Sequence, residues 1–137
     1  DYVQWLFGKI KIEHCKLKKL SNLDIETDDF LNLIAKTKKV PSIQIILNYF
    51  TRNPIRQIFI DGKNISMQAD LIRKNVVYCS GNRKKIYNFR NLDRNFEYKK
   101  QHLAILTNKY SNRLCTFKEG KQLVYLINQI KFKSQKT

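Results

Sequence analysis

The first part of the chain combines apolar residues at a helical spacing with frequent basic residues. Leu6, Ile10, Leu17 and Leu20 can lie on one face of a helix within residues 2–20, because residues three or four positions apart share a helix face. This spacing predicts a basic amphipathic helix over that segment.

An acidic stretch precedes the second apolar run. Thr27 is a candidate N-cap, and Asp28 and Asp29 follow it directly. Acidic side chains in the first turn of a helix are stabilised by the positive end of the helix dipole. We therefore expect a helix that begins near Phe30 and ends on the basic turn at residues 36–39.

A third helix is predicted after Pro41. Ser42 is its candidate N-cap, and Asn53-Pro54 ends it, because the residue before a proline is disfavoured in the helical region. The apolar residues between these signals are spaced i, i+3, i+4 and i+7, which predicts one buried stripe. They are Ile43, Ile46, Leu47 and Phe50.

The apolar pattern then changes to a period of two. Ile58 and Ile60 lie on one face of a predicted strand, and Phe59 lies on the other face. Asp61-Gly62 is a strong signal for a hairpin turn, since both central residues of a type I′ turn need positive φ. We expect the partner strand to follow this turn directly.

Patterns in the rest of the chain are weaker. Residues 76–79 form a further strand candidate, whereas residues 83–100 are basic and aromatic without a clear period, so we expect a loop or an irregular helix there. Residues 102–110 and 121–132 show helical spacing. Together the elements predict an α+β fold: a helix-turn-helix followed by a β-hairpin, with basic helical extensions.

The charge of the chain limits the class of partner. It has 137 residues, with 27 Lys and Arg against 11 Asp and Glu, a formal net charge of +16. Residues 1–70 contribute +3 and residues 71–137 contribute +13. A folded domain tolerates such an excess when a polyanion neutralises it, so nucleic acid is the first candidate and an anionic membrane surface the second. No apolar run approaches the roughly 20 residues that span a bilayer. We expect no membrane partner, because Asn and Tyr are scattered through the basic segments and no long basic amphipathic helix is predicted.

Signals for catalysis are sparse. Cys15, Cys79 and Cys115 lie far apart, which argues against a disulfide framework and against a zinc site. No phosphate-binding loop, dinucleotide fingerprint or metalloprotease motif is present in the sequence. The acidic residues 24–29 leave one alternative open, a magnesium-dependent nuclease of a mobile element. Otherwise we expect no enzyme activity, no cofactor and no small-molecule substrate.

Mostly basic residues in the predicted helix–helix–hairpin unit and after it form the candidate RNA-binding site. Lys and Arg neutralise phosphates, and the neighbouring rings of Tyr87 and Phe89 are possible stacking surfaces for unpaired bases. The candidate RNA-binding residues are Lys38, Lys39, Ser42, Arg52, Arg56, Lys63, Arg73, Lys74, Arg83, Lys84, Lys85 and Arg90.

Several short motifs occur in order between residues 5 and 79. Phe7-Gly8 is followed by Glu13-His14, then by Ser42-Ile43 at a predicted helix start, and then by IFIDGKNI at residues 58–65. This order resembles the RNA-binding domain of the small-subunit ribosomal protein S-four family, whose strand reads roughly I-x-V-N-G-x-x-V. The chain departs from the family in its second helix, which is apolar where the family is rich in Arg and Gln.

The resemblance implies a domain organisation and a function. Residues 1–27 would form a basic N-terminal helical segment, residues 28–80 an S-four-like RNA-binding domain, and residues 81–137 a basic C-terminal extension with helices. The protein would be a structural constituent of the small ribosomal subunit, bound to ribosomal RNA and neighbouring ribosomal proteins. The abundance of residues with A/T-rich codons suggests an A/T-rich genome, such as an organelle's or that of certain protists. Together with the divergence from the family, this composition predicts a mitochondrial version, in the ribosome of the matrix. A lineage-specific mitochondrial ribosomal protein of another fold is the alternative within this class.

Overall fold

Strands form at residues 11–18, 30–36 and 43–48, where helices were expected. The computed structural model of the protein describes residues 1–89, 95–108 and 114–135. Its elements in chain order are α1 (Tyr2–Phe7), β1 (Lys11–Lys18), β2 (Phe30–Lys36), β3 (Ile43–Asn48), β4 (Gln57–Gly62), β5 (Ile65–Asp70), β6 (Asn75–Ser80), β7 (Arg83–Asn88), α2 (Phe96–Thr107) and α3 (Phe117–Ser134). Contacts divide the chain into a first unit, Asp1–Phe50 with Cys115–Thr137, and a second unit, Thr51–Leu114.

The first unit contains a three-stranded antiparallel sheet in the order β1-β2-β3. Cys15 of β1 lies opposite Leu33 of β2, which lies opposite Ile45 of β3. A register shift between Ile12 and His14 places Ile12 and Cys15 on the same face, because a bulge inserts one residue into the alternation. One face packs against α3, and the buried core consists of Ile10, Ile12, Cys15, Leu33, Ala35, Leu126 and Ile130.

Helix α3 is fixed at both of its ends. At its start, Thr116 Oγ1 accepts a hydrogen bond from the backbone N–H of Glu119 (3.2 Å), and the Glu119 carboxylate accepts one from the backbone N–H of Thr116 (2.7 Å). This reciprocal pair is a capping box. At its end, the hydroxyl of buried Ser134 accepts from the backbone N–H of Leu17 (2.7 Å) and donates to the Leu17 carbonyl (3.1 Å). Ser134 thereby closes part of the β1 edge as a neighbouring strand would.

The second unit contains a four-stranded antiparallel sheet in the order β4-β5-β6-β7. Each strand follows its neighbour through a short turn. Asn64, Lys74 and Gly81 in these turns have positive φ values of 61°, 53° and 54°. The β4–β5 and β6–β7 turns therefore lie at one end of the sheet, and the β5–β6 turn lies at the other.

The predicted α+β fold, with a helix-turn-helix before a hairpin, is wrong. The apolar run from Phe30 is β2 and the next run is β3, so Thr27 and Ser42 precede strands. A helical spacing also fits a strand when nearly every position is apolar, and the β-branched isoleucines of β3 favour extended backbone. Within residues 2–20 only α1 is helical; it ends at Gly8, whose φ is 87°, and β1 follows.

Other predicted elements are present. β4 and β5 form the expected hairpin, although Lys63-Asn64 rather than Asp61-Gly62 occupy its turn. Residues 76–79 lie in β6, residues 102–107 in α2 and residues 121–132 in α3. The expectation of a loop or irregular helix over residues 83–100 is wrong for residues 83–88, which form β7, whereas residues 96–100 lie in α2 and residues 90–94 lie outside the described residues. All six positions of β7 are exposed, so no alternation of apolar and polar residues marks the strand in the sequence.

Candidate nucleic-acid interface

Positive charge is concentrated in the second unit. Residues 51–114 include 14 basic and 4 acidic residues, a net charge of +10, whereas the first unit has 13 basic and 7 acidic residues, a net charge of +6. The described candidate residues of the second unit are exposed apart from half-buried Lys74: Arg52, Arg56, Lys63, Arg73, Lys74, Arg83, Lys84 and Lys85.

One end of the second sheet carries Lys63 and Arg83. Lys63 occupies the β4–β5 turn, and Arg83 is the first residue of β7 after the β6–β7 turn. The register pairs Ile65 with Ser80 and Ser80 with Arg83, which makes the two turns neighbours. Two cations predicted as RNA-binding residues therefore lie at the same end of the sheet.

Asp70 organises the opposite end of the sheet. Its Oδ1 accepts hydrogen bonds from the backbone N–H groups of Arg73 (2.8 Å) and Ile72 (3.0 Å), and its Oδ2 accepts one from Nε2 of Gln57 (3.2 Å). The hydrogen bond from Arg73 is the main reason that the pKa of Asp70 lies below its usual value. This carboxylate fixes the turn from which Arg73 and Lys74 project.

Strand β7 supplies three consecutive cations along one edge of the sheet. They are Arg83, Lys84 and Lys85, and all are exposed. Because side chains alternate along a strand, Lys84 lies on the opposite face from Arg83 and Lys85. Lysines on an edge strand also hinder unwanted pairing with other chains. The cations of β7 can therefore protect the sheet edge and also bind phosphate.

The two faces of the second sheet differ in exposure on β4 and β5, whereas every β6 residue is half-buried and every β7 residue is exposed. Ile58, Met67 and Ala69 on one face are half-buried or buried. The opposite face is referred to below as the open face. Its three cross-strand rows are Gln57–Asp70–Asn75–Asn88, Phe59–Gln68–Val77–Ile86 and Asp61–Ser66–Cys79–Lys84.

Sequence analysis missed the most exposed apolar side chain of the open face. Phe59 is 64% exposed, and Ile86 at the other end of its row is 56% exposed. The alternation that placed Phe59 opposite the face of Ile58 was the available signal. Tyr87, predicted as a stacking surface, is also exposed but lies on the face opposite Phe59.

Three candidate residues lie in the first unit, so the predicted set is divided between the two units. Lys38 and Lys39 are exposed in the β2–β3 turn, where Thr37 Oγ1 accepts the backbone N–H of Lys39 at 3.2 Å. Ser42 is exposed directly before β3 and caps no helix, which corrects its predicted local role. Arg90 lies outside the described residues.

The acidic segment at residues 24–29 includes one buried carboxylate. Asp29 accepts hydrogen bonds from the backbone N–H groups of Leu20 (2.7 Å) and Ser21 (2.9 Å) and from the Ser21 hydroxyl, and Lys19 Nζ lies 3.5 Å from its Oδ2. Burial alone would raise the pKa of Asp29, but the hydrogen bonds and the charge of Lys19 lower it to about 2. Asp29 thus stabilises the β1–β2 connection through these contacts. The predicted helix cap is wrong, because a strand and not a helix follows this segment.

The described residues contain neither a metal-binding cluster nor a cysteine in a disulfide. Across residues 1–89, 95–108 and 114–135, no group of three or more His, Cys, Asp or Glu side chains is placed to hold a metal ion. The three cysteines are free thiols. Burial raises the pKa of the Cys15 thiol, whose Sγ donates to the Ile130 carbonyl at 3.5 Å. The thiol form is therefore favoured, which fits packing in the core better than nucleophilic attack.

Comparison with known proteins adds no relative. No protein-family model matches the chain, and searches of the curated proteins and of the solved structures give no match. The resemblance to the S-four family therefore has the short motifs as its only support, and the helix-turn-helix that it implied is absent from residues 1–89. Within the described part of the chain, no helix is long and apolar enough to cross a membrane.

Proposed function

We propose that this protein binds RNA and is a structural constituent of a ribonucleoprotein particle, with the small subunit of a mitochondrial ribosome as the first particle to test. The proposal rests on the distribution of charge in the second unit. This unit combines a net charge of +10 with exposed cations at both ends and along one edge of a single sheet. Phosphate neutralisation by such cations supplies most of the sequence-independent affinity for nucleic acid.

Within this proposal, the fold argues against membership of the S-four family. The hairpin of β4 and β5 is part of a four-stranded sheet, and strands occupy the positions at which the family has a pair of helices. The proposed RNA contacts therefore lie on the turns and the β7 edge of the second sheet, and not on a helix pair beside the hairpin.

The first test of RNA binding is its salt dependence. Fluorescence anisotropy of a labelled RNA would be titrated with the full-length chain at several salt concentrations. If about six cations contact phosphates, the logarithm of the affinity should fall with the logarithm of the salt concentration at a slope of about −4 to −5. A slope near zero would contradict phosphate binding.

The ribosomal assignment needs a separate test. Organelle lysate would be sedimented through a sucrose gradient in high salt, and the chain would be located by mass spectrometry. Co-migration with the small ribosomal subunit supports the assignment. Recovery in the light fractions contradicts the ribosomal role, and the salt titration then decides independently whether the chain binds RNA.

A further inference from the structure

We infer that the open face of the second unit binds unpaired nucleotides, with the ring of Phe59 stacked on a base and Lys84 beside the sugar-phosphate backbone. This inference rests on the proposed RNA-binding function and names the class of RNA, which is single-stranded. It differs from binding by charge alone because it requires the apolar centre of the open face.

The apolar row of the open face is the first observation. Phe59 on β4 and Ile86 on β7 are more than half exposed and lie in one cross-strand row with half-buried Val77. Neighbouring strands lie about 4.8 Å apart, so this row crosses about 14 Å of sheet. Exposed apolar side chains that line up on one surface, rather than scatter singly, indicate a binding surface.

The polar groups around this row suit base edges. Amide side chains both donate and accept hydrogen bonds, as the edges of unpaired bases do. Gln68 lies within the apolar row and is exposed. The amides of the open face at register positions are Gln57, Gln68, Asn75 and Asn88.

The exposed charges of the open face define a direction across the sheet, whereas its other carboxylate, that of Asp70, is buried and hydrogen-bonded. In the row Asp61–Ser66–Cys79–Lys84, the carboxylate lies at the β4 edge and the cation at the β7 edge. Asp61 is hydrogen-bonded, since its Oδ1 accepts from Ser66 Oγ at 2.6 Å. Phosphates are attracted to Lys84 and repelled by Asp61, so the RNA backbone should follow β7 while a base extends towards Phe59.

Unpaired RNA satisfies these features better than duplex RNA. A duplex holds its bases stacked inside the helix and presents mainly phosphates and sugars, which would use the cations but not the ring of Phe59. Splayed bases stack on aromatic side chains with little sequence preference. The combination of an exposed ring, amides and the cation of Lys84 on one face therefore favours single strands.

A tryptophan probe on the open face tests this inference in the full-length chain. Trp5 is the only tryptophan in the sequence and lies in the first unit. The double variant Trp5→Phe, Phe59→Trp places the only indole on the open face. Oligouridine should quench its fluorescence, whereas an RNA duplex of equal length should not. In the unmodified protein, Trp5 should respond to neither RNA, which makes it the matched control.

Affinity measurements separate the ring from simple apolar bulk. Phe59→Tyr keeps the aromatic face and should retain oligouridine affinity, whereas Phe59→Leu keeps apolar bulk and should weaken it about 5- to 150-fold, the range for loss of one base–aromatic stack. Phe117→Ala is the control, because Phe117 is a ring on α3 of the first unit that is 90% exposed, more than Phe59. Circular dichroism of each variant checks that the sheet is intact.

The outcomes distinguish this inference from the proposed function. Equal oligouridine affinity of the Leu and Tyr variants, or tighter binding to the duplex, would overturn the inference while a steep salt slope kept RNA binding in place. Failure to bind either RNA at low salt would overturn the proposed function, and the inference would fall with it.

Discussion

At the scale of single residues, Asp29 links folding to pH. Its folded pKa of about 2 lies below the value of about 3.9 for an unfolded chain. The stability that this carboxylate contributes is therefore complete above about pH 4 and is lost as the pH falls through about 2. We expect Asp29→Asn to lower the thermal midpoint at pH 7 and to flatten the acid side of the stability profile.

Thermal melts followed by circular dichroism across a pH series would measure this effect. Asp28→Asn is the matched control, because Asp28 is the exposed neighbour in the same segment. Equal midpoints for the two variants at pH 7 would show that the hydrogen bonds to Asp29 do not stabilise the fold.

A second residue-scale prediction concerns the core of the first unit. Leu33 is 2% exposed in the centre of β2, whereas Leu47 on β3 is 58% exposed. Leu33→Ala should lower the free energy of unfolding by about 2–5 kcal/mol, because it removes buried methyl groups and leaves a cavity. Leu47→Ala should change it by less than about 0.5 kcal/mol. Urea denaturation followed by Trp5 fluorescence would compare them, and similar losses would contradict the placement of the core.

The residue types of these sites were predictable in part. The acidic segment before Phe30 was recognised as a place where carboxylates meet backbone N–H groups, but the predicted partner was a helix N-terminus. Both a helix start and the β1–β2 connection offer free N–H groups, so the local sequence does not separate them. The cations could be identified from the sequence without knowledge of the fold. The position of Phe59 on the open face depends on strand pairing, which the sequence alone does not give.

At the scale of elements, the contact between α3 and β1 offers a third prediction. Ser134→Ala removes the hydroxyl that bonds both polar backbone groups of Leu17. The variant should lose about 1–3 kcal/mol of stability, because those groups become unpaired in a partly buried place. Ser42→Ala, at an exposed serine of the same unit, should have almost no effect. Urea denaturation of both variants gives the comparison, and equal stability would indicate that water replaces Ser134 without cost.

The success of prediction differed among the elements for physical reasons. The spacing of apolar residues in α3 and the turn signal at the end of β4 depend only on residues close together in the sequence. The predicted helix and the predicted hairpin are both present. β2 and β3 carry almost continuous apolar runs, whose period is ambiguous between helix and strand until sheet pairing decides it. β7 has no buried position, so its conformation is set by its ladder with β6 rather than by a pattern of its own.

At the scale of the whole molecule, the effect of where the positive charge lies on RNA binding can be separated from the effect of the total net charge. Lys84→Gln with Lys85→Gln removes two cations from β7 of the second unit, and Lys16→Gln with Lys18→Gln removes two exposed cations from β1 of the first unit. Both double variants lower the net charge from +16 to +14. They therefore have the same overall attraction to a polyanion and differ in which edge strand has lost its lysines.

We expect the β7 variant to bind single-stranded RNA about tenfold more weakly at 0.15 M salt, with a salt slope shallower by about 1.4, since each lost phosphate contact removes about 0.7 from the slope. The β1 variant should change both quantities much less. Anisotropy titrations over a range of salt would measure the two slopes side by side. If the two variants lose affinity equally, the chain attracts RNA through its total charge, and the phosphates do not bind preferentially to the second unit. A larger loss in the β7 variant would place the phosphates along β7, where the open face can present its ring to the neighbouring bases, whereas a larger loss in the β1 variant would contradict this placement.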